Sequence, residues 1–203
     1  MQKHNSENRI LAELIGHLWR IGSGDGIVCG LTSAQWTALR YFAQANRFSR
    51  TVSSFAEFHA TTRGTASQLI KGLVSQGYLT RTRSETDGRS VWLDIADKAR
   101  AVLRHDPFKS LVEAAGILPS GARGQLTAKL ERMLGHLANK RGKHRFGVCP
   151  PCTHLGCEKE STDYECRLLN QPLEQAELTQ ICVNFEPGDG STAKPSRGSE
   201  APR

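Results

Sequence analysis

The stretch TTRGTASQLIKGLVSQ, residues 61–76, decides the fold. Its apolar side chains recur every three or four residues, which is typical of a helix that buries one face. These apolar residues are Ala66, Leu69, Ile70, Leu73 and Val74. Polar and basic residues occupy the opposite face, and Gly77 follows at the position where helices end on a left-handed residue. The stretch therefore predicts a helix that is anchored on one side and open to a ligand on the other.

The region before this helix predicts two more helices. In LTSAQWTALRYFAQAN, residues 31–46, Thr32 and Gln35 have the spacing of a capping box, which marks the start of a helix. That helix is expected to point four side chains inward, namely Trp36, Leu39, Phe42 and Ala43. A short helix is expected to begin near Ser54, with Glu57 at the matching cap position and with Phe55 and Phe58 buried.

The region after the helix changes to the alternating period of β-strands. Leu79, Arg81 and Arg83 fall on one face of the first predicted strand, and in the second strand Val91, Leu93 and Ile95 alternate with Ser90, Trp92 and Asp94. An Asp-Gly pair lies in the polar stretch between the two strands. The order helix, short helix, helix, hairpin predicts a mainly α protein with a small β-hairpin, a winged helix-turn-helix. Apolar stripes in residues 8–19 and 119–137 predict longer helices on either side of it.

A helix of this kind can place its polar face in the major groove of DNA. The residues assigned to DNA contact are Thr62, Arg63, Thr65, Ser67, Gln68 and Lys71 on the helix, and Arg81, Arg83 and Arg89 on the hairpin. The amide of Gln68 suits an adenine edge, and the guanidinium of Arg63 suits a guanine or a phosphate. A solvated helix face is the alternative interpretation of the same pattern.

Three segments resemble the MarR-type (multiple antibiotic resistance regulator) family: residues 31–46, residues 61–81, and TDGRSVWLDIADKARAVL at residues 86–103. The resemblance extends over residues 8–137. It implies a homodimer, built from the first and last helices, that binds double-stranded DNA at a pseudo-palindromic operator and acts mostly as a repressor. It also implies that Arg89, oriented by Asp87, contacts the minor groove.

Five of the six cysteines lie in one short stretch after the last long helix. They are Cys149, Cys152, Cys157, Cys166 and Cys182, while Cys29 stands alone. In a reducing compartment such a group predicts a metal or iron–sulfur site rather than a disulfide framework. Only Cys149 and Cys152 form the close pair that zinc sites use, which favours a cluster wrapped by loops. Structural zinc and a metal-free segment are the alternatives.

Without Cys157, the spacing Cys-x2-Cys-x13-Cys-x15-Cys resembles that of high-potential iron–sulfur proteins, as do the flanking residues Leu155 and Val183-Asn184-Phe185. The resemblance implies a four-iron, four-sulfur cluster held by Cys149, Cys152, Cys166 and Cys182, with Cys157 or His154 as the alternative ligand. Such a regulator would sense redox state or iron. Loss of the cluster is expected to loosen the segment after the last helix and so to change the spacing of the DNA-binding lobes.

The composition is consistent with this function. A net charge of +7 over 203 residues favours a polyanionic partner. The polar N-terminus and the lack of a long apolar run predict a cytoplasmic protein without membrane contact. No nucleophile motif or Gly-rich phosphate loop indicates an enzyme.

The chain is expected to divide into five parts. These are a dimerisation helix and linker (residues 1–30), the winged helix-turn-helix (31–96), C-terminal dimerisation helices (97–145), an irregular Cys-rich metal- or cluster-binding segment (146–187) and a disordered tail (188–203). Two other functions fit the same residues. One is the same regulator with structural zinc and a small-molecule effector. The other is an electron-transfer or interaction protein that uses the winged helix as a scaffold.

Overall fold

A computed structural model of the chain describes residues 2–23, 26–83, 91–142, 145–157 and 163–188. The α-helices are α1 (Gln2–Gly22), α2 (Ser33–Gln44), α3 (Val52–Phe58), α4 (Arg63–Ser75), α5 (Asp97–Leu103), α6 (Lys109–Gly116) and α7 (Ser120–Lys140). The strands are β1 (Leu79–Arg83), β2 (Val91–Ile95), β3 (Leu155–Cys157), β4 (Tyr164–Cys166) and β5 (Gln171–Leu173). Short 3-10 helices lie at Arg47–Ser49 and Gln175–Thr179. The fold is therefore mainly helical with small antiparallel sheets.

Helix α2 begins as the sequence predicts, with a complete capping box. The Thr32 hydroxyl accepts from the Gln35 amide, and the Gln35 side chain accepts from the Thr32 amide in return. Trp36, Leu39 and Phe42 are buried, as expected. The expectation for Ala43 is wrong, because Ala43 is exposed on the last turn of α2. The buried side of that turn is formed instead by its neighbours Tyr41, Phe42 and Ala45.

Helix α3 begins earlier than the sequence predicts. Its N-cap is Thr51, whose hydroxyl accepts from the Ser54 amide at 3.1 Å. Ser54 thus lies in the first turn, because Thr51 satisfies the free N–H groups three residues earlier. Phe55 is buried and Phe58 is partly buried against the same core.

Helix α4 and the hairpin follow the prediction closely. Ala66, Ile70 and Leu73 are fully buried, and Leu69 and Val74 pack against them. Gly77 adopts φ +74°, the left-handed conformation that tolerates glycine best. Strands β1 and β2 pair antiparallel with Arg81 opposite Leu93. The tip of the hairpin, residues 84–90, lies outside the described residues.

The flanking helices α1 and α7 leave much of their apolar surface uncovered. Helix α1 packs against α6, where the Trp19 and Phe108 rings lie 6.0 Å apart and Gly22 faces Leu111. The exposed large apolar side chains of the two helices include Ile10, Leu11, Leu14, Leu18, Leu126, Met133, Leu134 and Leu137. None of the described helices has both the length and the apolarity that a membrane span requires.

Residues 145–157 and 163–188, here called the Cys-rich segment, form a compact unit after α7. Strands β3, β4 and β5 make a small antiparallel sheet in that order. Isolated bridges pair Gly147 with Cys182 and Cys152 with Pro187, which close the ends of the segment on each other. The segment is therefore folded around its own cysteines.

Candidate nucleic-acid interface and metal centre

Helix α4 presents a continuous polar face to solvent. Arg63, Thr65, Ser67, Gln68 and Lys71 are all exposed, while the opposite face is in the core. The structure thus brings the helical residues of the predicted DNA-binding site together on one surface. Because α4 is fixed by buried side chains, these exposed groups are held in a defined orientation.

The start of α4 is organised by its own threonines. The Thr62 hydroxyl accepts from the Thr65 amide at 3.1 Å and lies 2.9 Å from the Thr65 hydroxyl. Thr62 is therefore the N-cap, a structural role beside its predicted contact with DNA. The first turn contains no acidic residue, so its free N–H groups carry an uncompensated positive potential.

The stretch of chain that contains α4 and β1 carries only basic charges. From Thr61 to Arg83 the chain contains Arg63, Lys71, Arg81 and Arg83 and no aspartate or glutamate. Arg81 is exposed on β1, next to α4 in the fold. Arg83 lies at the end of β1, and Asp87 and Arg89 lie outside the described residues. This surface attracts a polyanion such as a phosphate backbone.

Four of the six thiols line one cavity in the Cys-rich segment. Cys149, Cys152, Cys166 and Cys182 surround a small space within the segment. Apolar side chains complete its wall, namely Phe48, Val148, Leu155, Leu173 and Phe185. All six cysteines are free of disulfide bonds. The cavity joins the four cysteines that the sequence assigns as ligands and leaves out Cys157, which is exposed at the end of β3.

The thiols of this cavity are in a setting that disfavours their charge. Burial raises the pKa of the Cys149 thiol to about 11, and the neighbouring Cys182, Cys152 and Cys166 add to the rise. Burial also raises the pKa of the Cys182 thiol. Hydrogen bonds from the Asn46 side chain and the Asn184 backbone N–H lower this pKa, but the effect of burial is larger. Without a cation these two buried thiols keep their protons near neutral pH, so a metal that binds there must displace protons.

The four cysteines that line the cavity are of the residue type that holds zinc or an iron–sulfur cluster. A single zinc ion with Zn–S bonds of about 2.3 Å needs sulfurs within about 4 Å of one another. Among the described residues, no three His, Cys, Asp or Glu side chains are gathered closely enough to hold one metal ion.

The alternative ligand His154 has another partner. It lines the same cavity, but its Nε2 lies 3.0 Å from the Glu186 carboxylate. The isolated Cys29 is exposed in the connection between α1 and α2, at φ +52°. Its position is consistent with a residue outside the site.

Two cavity residues come from the winged-helix domain and were missed by the sequence analysis. Asn46 is 1% exposed and lines the cavity beside Cys182, and Phe48 packs into the apolar cluster of the Cys-rich segment. More than 100 residues separate Asn46 from the nearest cavity cysteine along the chain. No local period or spacing in the sequence signals that contact.

The fold and its exposed helix define a winged helix-turn-helix protein. Residues 30–90 match the model of the MarR family, and they contain α2, α3, α4 and β1. This part of the chain is therefore similar to the MarR family and has its winged-helix fold. The match ends at residue 90 and does not reach the Cys-rich segment.

Solved structures share the fold at low sequence identity. Streptococcus pneumoniae FabT in complex with DNA is 22% identical, with a TM-score of 0.52 over 67% of this chain and 98% of that one. A MarR transcriptional regulator from Methanosarcina mazei Go1 is 22% identical, with a TM-score of 0.50 over 64% and 98%. The regulator BldR from Sulfolobus solfataricus is 20% identical, with a TM-score of 0.50 over 66% and 96%. No curated protein matches the sequence.

Proposed function

We propose that this protein is a dimeric, sequence-specific DNA-binding regulator of transcription, acting as a repressor, rather than an enzyme. The observation that supports this most strongly is the exposed polar face of α4 on a MarR-type winged helix. Its side chains combine hydrogen-bonding groups that can discriminate bases with cations that can bind phosphates. The solved structure of FabT, which shares this fold, is a complex with DNA, and this supports the proposal.

In this proposal, different residues of α4 and the hairpin contact the bases and the phosphates. Gln68 and Arg63 read base edges, while Lys71 and the hairpin arginines Arg81 and Arg83 hold the phosphate backbone. Arg89, oriented by Asp87, is assigned to the minor groove on the MarR resemblance. Ser67, Thr65 and Thr62 are small enough to let the helix start approach the backbone.

Selection from a pool of randomised duplexes tests sequence-specific binding directly. We expect one enriched motif with two inverted half-sites, bound by the full chain at physiological salt. Fluorescence anisotropy then compares Gln68→Ala with Lys71→Ala on the selected duplex and on a scrambled one. Gln68→Ala should lose about 1–3 kcal/mol on the selected duplex only. Lys71→Ala should weaken both and lower the salt dependence by about one phosphate. Equal affinity of the wild type for both duplexes would refute sequence-specific binding.

The dimer in this proposal is built from α1 and α7. Their exposed apolar side chains form stripes that a monomer would leave in water, and a second copy would cover them. The two α4 helices would then face the two halves of a symmetric operator. Repression would follow when the dimer occupies DNA that the transcription machinery needs.

We further propose that the cavity thiols of Cys149, Cys152, Cys166 and Cys182 hold a four-iron, four-sulfur cluster. The support is the convergence of these four residues on one apolar cavity, with Asn46 and Asn184 placed to donate hydrogen bonds to sulfur. When bound, such a cluster stabilises the thiolates and is sensitive to oxidants, nitric oxide and iron supply. The protein's own groups exclude water through Phe48, Leu155, Leu173 and Phe185.

Cysteine variants with matched controls test this assignment. Anaerobically purified protein should be brown and contain iron and acid-labile sulfide. Alanine at Cys149, Cys152, Cys166 or Cys182 should remove most of both, whereas Cys157→Ala and Cys29→Ala should keep them. Colourless protein with one zinc per chain would overturn the cluster and favour structural zinc with a separate effector. Loss of iron in Cys157→Ala would change the ligand set.

A further inference from the structure

The Cys-rich segment lies directly on the winged-helix domain. Residues 44–51, which join α2 and α3, are here called the α2–α3 connection, and the segment contacts residues 44–49 of it. The Ile181 amide donates to the Gln44 carbonyl at 2.8 Å, and the Asn46 amide donates to the Ile181 carbonyl at 3.0 Å. The Val183 amide donates to the Ser49 hydroxyl at 3.1 Å. The two parts are thus joined along one edge by backbone hydrogen bonds.

Side chains strengthen the same contact. The Arg47 guanidinium lies 2.8 Å from the Glu177 carboxylate and also donates to the Pro172 carbonyl. Glu177 is buried inside the Cys-rich segment, so this ion pair is shielded on one side. Phe48 enters the apolar cluster of the segment, and Ile181 packs against the core of the winged-helix domain. Each part therefore supplies apolar surface to the other.

The Cys-rich segment has too little apolar core to fold alone. Its buried apolar cluster consists of Cys149, Leu173 and Leu178, with Phe48 contributed by the winged-helix domain. Segments of about 40 residues usually need disulfides, a metal or a partner surface to fold. When metal ligation supplies that stability, binding and folding are one equilibrium. Coverage of the α2–α3 connection then depends on whether the four thiolates hold their metal.

The covered residues lie close to both DNA-reading elements. Ser49 is fully buried, and its carbonyl accepts from the Tyr41 hydroxyl at 2.7 Å. At the end of the connection, the Arg50 carbonyl accepts from the Leu93 amide at 2.9 Å, and its guanidinium lies 2.8 Å from the Asp94 carboxylate on β2. The connection continues into α3, which packs against α4. A change at residues 44–51 can therefore pass to α4 through α3, and to β2 through Arg50.

We propose that the Cys-rich segment is a metal-dependent clamp on the α2–α3 connection of its own chain. With the four thiolates ligated, the segment covers residues 44–49 and holds α3 and β2 in one arrangement. Without ligation, the segment unfolds and exposes Asn46 and Ser49. The α2–α3 connection is then free to adopt other conformations. This inference rests on the cluster and the DNA binding proposed above. In this inference, metal binding and DNA binding are coupled within each protomer. This coupling is separate from a change in the spacing of the DNA-binding lobes through the last helix.

Hydrogen–deuterium exchange of the full chain tests the clamp without DNA. The protein is compared as purified anaerobically and after its metal is removed by a chelator. We expect the amides of Asn46, Ile181 and Val183 to exchange at least about tenfold faster after removal, because their hydrogen bonds open with the segment. The amides of Ile70 and Leu73 in α4 should remain protected in both states. Unchanged protection of residues 44–49 would overturn the clamp.

A variant of the Arg47–Glu177 ion pair tests whether this contact couples metal binding to DNA affinity. Arg47→Met removes the ion pair with Glu177 and leaves every cysteine in place, and Arg47→Lys restores a cation. Arg100→Met, which removes an exposed pair with Asp97, is the matched control. The wild type should differ in affinity for the selected duplex by about 5- to 150-fold between the metal-loaded and metal-free states. That ratio should fall toward one in Arg47→Met and return in Arg47→Lys.

The readouts separate the failure of the clamp from that of the proposed function. Iron and sulfide in the protein, with no change in exchange or in the Arg47→Met ratio, would leave the cluster standing and refute the clamp. Protein without metal would refute both the cluster and the clamp. Absence of specific DNA binding would refute the regulator, while the exchange experiment would still decide the clamp. Should Arg47→Met fail to fold, the wild-type exchange result decides alone.

Discussion

His59 is a titratable side chain held in an aromatic environment at the end of α3. Its ring lies 4.6 Å from Phe55 and 4.8 Å from Phe58, measured between ring centroids. Its Nε2 is buried and has no hydrogen-bond partner among the described residues. Burial lowers the pKa of His59 to about 4, and the charge of Arg40 contributes. The folded protein therefore favours the neutral imidazole.

The shift makes stability depend on pH. In the unfolded chain the histidine pKa returns to about 6.5, so between about pH 6.5 and pH 4 the unfolded state binds a proton that the folded state does not. Stability must then fall as pH decreases through this window, by on the order of 3 kcal/mol from His59. His59→Phe should remove this part of the dependence and keep the aromatic packing. Urea unfolding of both proteins across the window measures it. Parallel pH dependences would show that His59 is not responsible.

Gly147 is required where the Cys-rich segment closes on its cavity. A Cβ at this position would lie 2.6 Å from the ring of Phe185, a cavity residue. Gly147→Ala should therefore displace that ring and destabilise the segment by about 1–3 kcal/mol, as overpacking does. The metal content per chain should fall with it. Gly188→Ala is the control, because its Cβ would meet nothing closer than 3.5 Å. Equal metal content in both variants would contradict the prediction.

Helix α1 leaves most of its apolar stripe exposed. Leu14 is 55% exposed in the middle of its stripe. Leu14→Glu should weaken dimerisation by at least about tenfold, since a buried carboxylate without a partner is costly. Ala12→Glu places the same charge on another face of α1 and should leave the dimer intact. Sedimentation equilibrium measures both, with far-UV circular dichroism as a check on folding. A monomeric wild type would refute this interface.

The elements also show what sequence patterns can and cannot predict. Helix α4 could be predicted because its period, its Thr62 cap and Gly77 are all local signals. Helix α3 was placed late because two plausible caps, Thr51 and Ser54, lie within one turn. The grouping of Cys149, Cys152, Cys166 and Cys182 around one cavity agrees with their spacing, whereas their role as metal ligands stays a prediction. The hairpin arginine Arg89 stays a prediction, since it lies outside the described residues.

At the scale of the whole molecule, the contact between the Cys-rich segment and the winged-helix domain could not be predicted. The Arg47–Glu177 pair spans 130 positions, and the bond from Val183 to Ser49 spans 134. A pair at such separation leaves no trace in the local period of either partner. Only the three-dimensional packing shows that Asn46 and Phe48 face the cysteines. Phe48 and Ile181 each pack into the apolar cluster of the other part, so the two parts share a core.

This shared core predicts how the molecule responds to loss of metal. The winged-helix core has its own buried residues, including Trp36, Leu39 and Ile70, and does not need the cavity. If the Cys-rich segment holds the proposed cluster, chelation should open it locally while most helical structure remains. Limited trypsin digestion reports this at Arg167, whose side chain is exposed. Its backbone amide donates to the His154 carbonyl at 2.8 Å, a bond that opens when the segment unfolds. Cleavage after Arg167 should become at least about tenfold faster without metal, whereas cleavage after Arg100 in α5 should not change. Equal acceleration at both sites would mean that the chain unfolds as one unit and that the Cys-rich segment is not a separately responding part.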